Sequence, residues 1–469
     1  NYMSKKTKKK TAKKSLHNLN ETIATKDISS ILDENAYEYA KKVVLNRAFP
    51  HFRDGLKSAQ LAIMLALNDR KAKPGEYIGS PGIASSAKEN YHPHNEDILY
   101  KTAVDMSTER VPLIEFDSAS VATKKDHQVV ESRYTKMRLT PMGREMLANI
   151  SECPPRENYA GVMNMVAHLK PRFPYSLFVG NGGIGFGTSG TTLPMNPSEI
   201  LDAMKLLVQK DLQVSTSELT SIIKGPDISK YTNVYMTADA LESLIEDGHG
   251  LVTLLCPVKY ERRKIIIQEI PYREKADTIK KKFESAIGRG AKVEFKTFSV
   301  KNVQAIIAEG HILELEVTVR SGYTMEDVIK EIYNETNLKR TYNIEYVMMD
   351  DTEELGRHLT KKSIREILEW HIQVNYEYLE KKYRDQLVAL DKEEFETNVL
   401  EKFTRPEVLA WFKETLDKKA KKHIALERGN ETIPEGVTIE EVDVLFSRNN
   451  LNRLSDRDKI LEELESYKT

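Results

Sequence analysis

The feature that most constrains this chain is an apolar pattern near its end that keeps helical spacing for more than thirty residues. Leu355, Leu359, Ile364, Leu368, Ile372, Leu379, Tyr383, Leu387 and Leu390 recur on one helical face. A helix of about 20 residues already spans roughly 30 Å, about the diameter of a small domain. A pattern of this length without caps predicts a long, partly coiled-coil helix, which needs a partner for its apolar seam. Residues 393–428 read as shorter helices. Leu451, Leu454, Leu461 and Leu464 mark a returning helix that would pack antiparallel on the long one. A plain helical bundle fits the same spacing.

The rest of the chain is organised differently. At 469 residues, two to four domains are expected. Charged residues make up 30% and apolar ones 40%, the balance of a globular protein rich in surface helix. No run of about 18 apolar residues exists, so no membrane span is expected, and no secretory signal is read at the N-terminus. A cytoplasmic location follows as the expectation. Cys153 and Cys256 stand too far apart in sequence for a disulfide framework or a zinc spacing, and both read as buried small hydrophobes. Net charge is −1, but Lys5, Lys6, Lys8, Lys9, Lys10, Lys13 and Lys14 crowd the beginning. Residues 1–26 read as a basic, disordered tail, either solubilising or binding nucleic acid through counterion release.

Helical periodicity occupies 27–46 and 56–67, and a Gly-, Pro- and Ser-rich stretch at 74–86 reads as a loop. Asn95 is the expected cap of a helix through Met106, with Glu96 and Asp97 in its first turn. Short helices about a turn, followed by a basic loop, predict a helix-turn-helix or winged-helix unit over 27–170. From 171 to 350 the pattern is mixed α+β. Arg172 to Val179 reads as a strand, Asn196 caps a helix at 197–209, and strands are expected at 251–256, 264–270, 292–300 and 311–320. Helices are expected at 275–287 and 325–335, and helix alone from about 353 onwards.

Four strings carry chemistry. Glu131-Ser-Arg-Tyr-Thr-Lys-Met-Arg138 sets Tyr134 among Arg133, Lys136 and Arg138. A phosphodiester is drawn to such a positive field, and a phenolate is stabilised by it. A phenol that attacks phosphorus forms an ester that conserves the energy of the broken bond. Arg47, Arg53 and Lys57 lie within eleven residues at a helix–loop–helix junction, a spacing suited to consecutive phosphates or to a solvated charged loop. Tyr91-His92-Pro93-His94 offers two imidazoles before a helix N-terminus, suited to phosphate or proton transfer more than to a metal. Gly180-Asn181-Gly182-Gly183-Ile184-Gly185 matches G-x-G-x-x-G, but no helix opening follows and no Gly-Lys-Ser/Thr ending is present. A flexible glycine loop presenting Ile184 as a wedge between base pairs fits better.

In their order these strings resemble the DNA-cleaving subunit of type IIA topoisomerases: the A-subunit of DNA gyrase and topoisomerase IV, and the medium subunit of phage topoisomerases. The shared text is Arg47-Ala-Phe-Pro with Arg53-Asp-Gly-Leu-Lys57, Tyr91-His-Pro-His94, Arg133-Tyr-Thr135, Gly183-Ile184, Ile222-Ile-Lys-Gly-Pro-Asp227 and Glu269-Ile-Pro-Tyr272. The resemblance implies a multidomain α+β fold: a winged-helix DNA-gate domain at 27–170, an α+β tower at 171–350, and a long antiparallel coiled coil with a helical dimer gate at 351–469. It implies that Tyr134 is the nucleophile and that Arg133, Arg47, His92 and His94 line its site. Arg53, Lys57, Lys136, Arg138 and Ile184 are expected to contact DNA. It implies a homodimer working on double-stranded DNA with a B-type subunit that carries the ATPase and binds Mg2+, and no metal site in this chain. After Lys57 the family usually reads Pro-Val-His-Arg-Arg, whereas this chain reads Ser58-Ala-Gln-Leu-Ala62. The family's Gly-Gln-Gly-Asn-Phe-Gly loop is replaced by Glu115-Phe-Asp-Ser-Ala-Ser-Val-Ala122. These departures suggest a divergent, phage-like enzyme, or a DNA-binding architectural dimer that kept the fold and lost efficient cleavage.

Overall fold

The computed structural model describes residues 28–71, 75–93, 95–117, 129–261, 264–272, 293–300, 313–319, 324–352 and 356–403, with single positions between and beyond these. The lysine-rich tail, His94, most of the helix expected at 275–287 and the returning helix of Leu451 to Leu464 lie outside the described residues.

Helix α1 (Ile28–Val43) buries none of its side chains and runs into a π-helical turn, Val44–Ala48. Helix α2 (Ser58–Asp69) is its opposite: every residue from Leu61 to Leu67 is buried. A helix apolar on all sides is stable only inside a core. Around it come β1 (Ile78–Gly79), α3 (Ser80–Asn90), α4 (Glu96–Thr108), β2 (Ile114–Phe116) and β3 (Lys136–Leu139). The strands form an antiparallel sheet in the order β1-β3-β2, with Ile78 opposite Met137 and Ile114 opposite Leu139.

Helix α3 corrects the loop expected at 74–86. Its Pro81 occupies the first turn, where the missing N–H costs nothing. Its small residues Ser80, Ala84 and Ala87 are buried and permit close packing. Asn95 caps α4 as expected, its side chain accepting from the N–H of Asp97 at 2.9 Å.

The next segment holds α5 (Pro141–Met146), a hairpin of β4 (Pro155–Glu157) and β5 (Asn164–Val166), and α6 (Tyr175–Phe178). The strand expected over 172–179 is therefore a helical turn. All four of its residues are buried, and a continuous apolar run of this kind has no period that separates helix from strand. A second hairpin follows, β6 (Gly182–Gly185) with β7 (Thr188–Thr191). Then come α7 (Pro197–Gln209), capped by Asn196 as expected, α8 (Thr216–Ile222), β8 (Asn233–Tyr235), α9 (Ala238–Asp247) and β9 (His249–Leu255).

Four strands, β10 (Val258–Glu261), β11 (Lys264–Ile267), β12 (Val293–Val300) and β13 (Leu313–Val319), make an antiparallel sheet in the order β10-β11-β13-β12. Helix α10 (Met325–Glu335) covers it through Val328 and Ile332, which join Cys256, Ile265 and Ile267 in a separate small core. Strand β14 (Lys339–Glu345) completes a five-stranded antiparallel sheet, β6-β7-β14-β9-β8.

The helical pattern read from residue 353 begins late. Leu359 belongs to a hairpin of β15 (Val347–Thr352) with β16 (Gly356–Lys361), where it faces Met349. The helix, α11, runs Ile364–Phe403, so the shorter helices expected after 393 are at first one continuation. The chain divides into two compact units, 1–372 and 373–469. In the first, Ile364, Ile367, Leu368 and Ile372 are buried in the main core. In the second, Leu379, Tyr383, Leu387 and Leu390 stay exposed at helical spacing.

Candidate functional site

Tyr134 ends a 3-10 turn, Ser132–Tyr134, immediately before β3. Its side chain is 70% exposed. The residue after it is the anchor: Thr135 is buried, and its Oγ1 meets Ser80 Oγ at 2.8 Å and Tyr100 Oη at 3.0 Å. The main chain is tied on the same spot, Ser80 N donating to Thr135 O and Tyr134 N to Glu131 O. The phenol is thus free in solvent while its backbone is held by α3 and α4.

The cations of the string do not all gather round that phenol. Arg133 lies over the Tyr134 ring, 4.9 Å from guanidinium carbon to centroid, and pairs with Glu131 at 2.7 Å. Lys136 is exposed on β3. Arg138 is half-buried and occupied: Nε donates to Glu115 at 2.6 Å, Nη1 to Gly75 O at 2.6 Å, and the group lies over Tyr77. Arg133 and Lys136 are the two cations of this string that a phosphate reaches without breaking a buried contact.

A second group forms around the β6–β7 hairpin. The glycine string is not a flexible loop. It is a strand laid flat on the π-helical turn, and glycine permits the approach. A Cβ on Gly183 would stand 2.6 Å from Phe49 Cδ1 and 2.7 Å from Ala48 O, and one on Gly185 would stand 2.8 Å from Val44 Cγ2. Ile184 on the other face of the strand is left in solvent at 84% exposure, and Phe186 in the turn after it at 61%. Lys57 Nζ donates to Gly182 O at 2.6 Å, so this lysine buttresses the hairpin base. Arg47, in the turn beneath, is exposed.

Arg53 departs from the expected phosphate clamp. It is 19% exposed and points inward, with Nη2 3.1 Å from Asp350 Oδ1 and 3.2 Å from Asp351 O, and Nη1 3.1 Å from His168 Nε2. Phe52 and Trp370 cover its faces. The neighbouring residues are brackets too. Asp54, fully buried, accepts from the N–H groups of Leu56 and Leu169, both at 2.8 Å. Burial pushes its carboxyl up to about 7 against the pull of those two bonds.

Among the described residues, His51, His168 and Asp351 bring three ligand-type atoms within 4.8 Å of one another. Proton placement argues against a metal. His51 Nδ1 accepts from Arg53 N–H at 3.3 Å, so its proton sits on Nε2. His168 Nε2 faces Arg53 Nη1, which can only donate, so its proton sits on Nδ1. Both protonated nitrogens lie on the Asp351 side, Nε2 of His51 3.2 Å and Nδ1 of His168 3.6 Å from Oδ2, near the carboxylate but short of full hydrogen-bond geometry. A metal would need those protons moved to nitrogens that face donors, the reverse of the acceptor shell that metal-binding histidines have. The cluster reads as an internal polar joint. Burial, with the Arg53 cation beside it, holds His51 down at about 4 and His168 below the usual imidazole range. Burial alone would raise Asp351, but the two imidazole N–H groups outweigh it and hold its carboxyl well below the carboxylate range.

Of the histidine pair before α4, His92 is half-buried, its N–H donating to Ala87 O at 2.9 Å. The string Ile222 to Asp227 is a packing element: Asp227 pairs with Arg110 at 2.7 Å and accepts from Asn196 at 3.0 Å.

The protein-family model for the DNA gyrase/topoisomerase IV A-subunit matches residues 47–468. The chain belongs to that family. Curated relatives named as the A-subunit of DNA gyrase agree at low identity. The protein of Mycolicibacterium smegmatis is 25% identical over 342 residues, 69% of this chain and 39% of that protein. That of Staphylococcus epidermidis is 25% identical over 339 residues, 70% of this chain and 37% of its own length. That of Thermotoga maritima is 27% identical over 341 residues, 70% and 41% respectively. The chain therefore spans about two fifths of the length of these relatives. Among the described residues no helix is long and apolar enough to cross a membrane.

The fold adds residues that carry no mark in the sequence. Thr135, Ser80 and Tyr100 hold the Tyr134 turn, and Glu131 occupies Arg133. The only textual signal for the first three is a threonine directly after the tyrosine; partners so distant in sequence leave no local pattern.

Proposed function

We propose that this chain is the DNA-cleaving and religating subunit of a type IIA topoisomerase, with Tyr134 as nucleophile. The observation that carries the reading is the arrangement at Tyr134 in a member of the gyrase A family: a solvent-exposed phenol on a backbone moored by buried Thr135, with the Arg133 guanidinium over its ring. The element order α2-β1-α3-α4-β2-β3, short helices followed by a small antiparallel sheet, supports reading this part as a winged-helix unit with Tyr134 beside a groove of duplex DNA.

In this reading the Tyr134 oxygen attacks a backbone phosphorus. The P–O3′ bond breaks, the 3′ oxygen leaves with a proton, and the 5′ phosphate remains esterified to Tyr134. Arg133 exchanges Glu131 for the phosphate and stabilises the developing charge. Arg47 and His92 complete the anion site together with His94. Reversal reseals the strand without a cofactor. Lys136 and the wedge Ile184 hold and bend the duplex, and Lys57 acts on DNA indirectly, by bracing the hairpin. Two copies of the chain make the double-strand break. Mg2+ and ATP are used by a B-type subunit that drives passage of a second duplex. The tower, the coiled coil and its dimer gate belong to the same proposal, supported by the antiparallel sheets and helices of 171–350 and the exposed seam of α11.

The test is a denaturing gel after incubation with supercoiled plasmid, Mg2+, ATP and the B-type subunit. The wild-type chain gives a covalent protein–DNA adduct; Tyr134→Phe gives none while keeping its affinity for duplex. An adduct formed by the Phe variant refutes the assignment.

A further inference from the structure

We infer that Phe186 is a second apolar wedge, acting on the same bent duplex beside Ile184, and that α1 is the element that presents it. The inference rests on the proposed function and deepens it. Gly183 and Gly185 lie against Phe49 and Val44, Ile184 between them is exposed, and Phe186, the first residue of the turn that follows, is exposed as well. Ile184 pairs with Ser189 and Gly185 with Thr188, which puts Phe186 at the tip of the hairpin, followed by Gly187 at φ +72°.

The aromatic ring is also pre-positioned. Tyr39 of α1 meets it edge to face, with centroids 6.1 Å apart, and both rings remain more than half exposed. Lys41 and Lys42 close the helix that carries Tyr39, and Arg47 follows in the next turn, all exposed. The cations at the end of α1 and in the following turn favour a polyanion as the occupant there, and two apolar points beside them fit a duplex kinked at its steps, whereas exposed Asp33, Glu34 and Glu38 keep the first part of α1 off the phosphates.

The experiment uses the full chain and a short blunt-ended duplex with donor and acceptor dyes at its ends. Bending is read by energy transfer and affinity by anisotropy, for wild type, Ile184→Ala, Phe186→Ala, Phe186→Leu and Tyr39→Ala. Wild type bends the duplex. Phe186→Ala should lower both the bend and the affinity, the latter about fivefold or more, since an aromatic–base contact is worth about 1–3 kcal/mol. Phe186→Leu should restore part of the bend, as a smaller wedge, and Tyr39→Ala should weaken binding less than Phe186→Ala. Thermal melting of each variant checks the fold, which an exposed tip residue should not affect. If Phe186→Ala bends like wild type while Ile184→Ala does not, the second wedge is refuted and the topoisomerase reading stands. If the wild-type chain neither binds nor bends duplex, both fall. If Phe186→Ala instead alters concentration-dependent sedimentation without DNA, the patch is a contact between copies and the inference is overturned.

Discussion

Replacing His51 by Asn should flatten the acid side of the stability curve, and the size of the effect follows from the polar joint around Arg53. The His51 ring is buried and held neutral, its titration pulled down to about 4 from an ordinary 6.5, by burial first and by the nearby His168 and Arg53 charges. The unfolded chain therefore takes up a proton between those two values that the folded chain refuses. Stability from this group is complete above about pH 6.5 and is lost as the pH falls towards 4. At about pH 5 the loss amounts to about 2 kcal/mol from this one residue. His168 works in the same direction. Asp54 works in the opposite one, because its carboxyl is pushed up to about 7 by burial and its contribution is lost as pH rises. A single pH profile mixes these groups, so the informative quantity is a difference. Asn keeps an acceptor for the Arg53 N–H but cannot titrate. Urea unfolding of both chains at about pH 7.5 and pH 5 should show the wild type losing about 2 kcal/mol more than His51→Asn. Equal losses would mean that His51 binds its proton in the folded state, and the neutral-imidazole account of the joint would be wrong.

Three further outcomes follow from the same geometry. Arg53→Met should destabilise by up to about 3 kcal/mol in urea unfolding, since Asp350 loses one of its two cations, Lys362 remaining, and the main-chain O of Asp351 loses its donor, yet leave the salt dependence of DNA binding unchanged. Lys136→Ala should do the reverse: unchanged stability, and a slope of log affinity against log salt smaller by about 0.9. Gly183→Ala should destabilise by about 1–3 kcal/mol, measured by urea unfolding, because its methyl would overlap Phe49 and Ala48 O.

Local signals were legible where the chemistry is local. The caps at Asn95 and Asn196 are formed by side chains two residues from their targets, and the helices begin where those residues predict. Strands with clear alternation, such as β13, also fall where expected. Three errors share a cause, which is that tertiary packing decided the conformation. In α3 small residues look like a loop until α2 supplies a surface for them to lie against. In α6 an apolar run carries no period. In the β15–β16 hairpin, Leu359 sits at helical spacing by coincidence and pairs across to Met349. At the site, residue type singled out Tyr134, Arg133 and Ile184 as candidates, and the fold leaves Tyr134 and Ile184 exposed, but residue type did not show which cations face out. Arg53 and Arg138 look identical to phosphate ligands in a string. Only the folded chain brings Asp350, some 300 residues on, to one of them, and Glu115 and Tyr77 to the other.

In the proposed reaction, the mooring of Thr135 would bear on repair as much as on cutting. A tyrosine that holds a broken strand has to be found again by the same free 3′ end, and every ångström of drift in the meantime makes a clean rejoin rarer. Tethering the next residue to Ser80 and Tyr100, one on each of two packed helices, leaves the phosphotyrosine only its own side-chain rotations as slack. Loosening that tether, as Thr135→Val would, should therefore show first as breaks that persist, before any fall in the rate at which they are made.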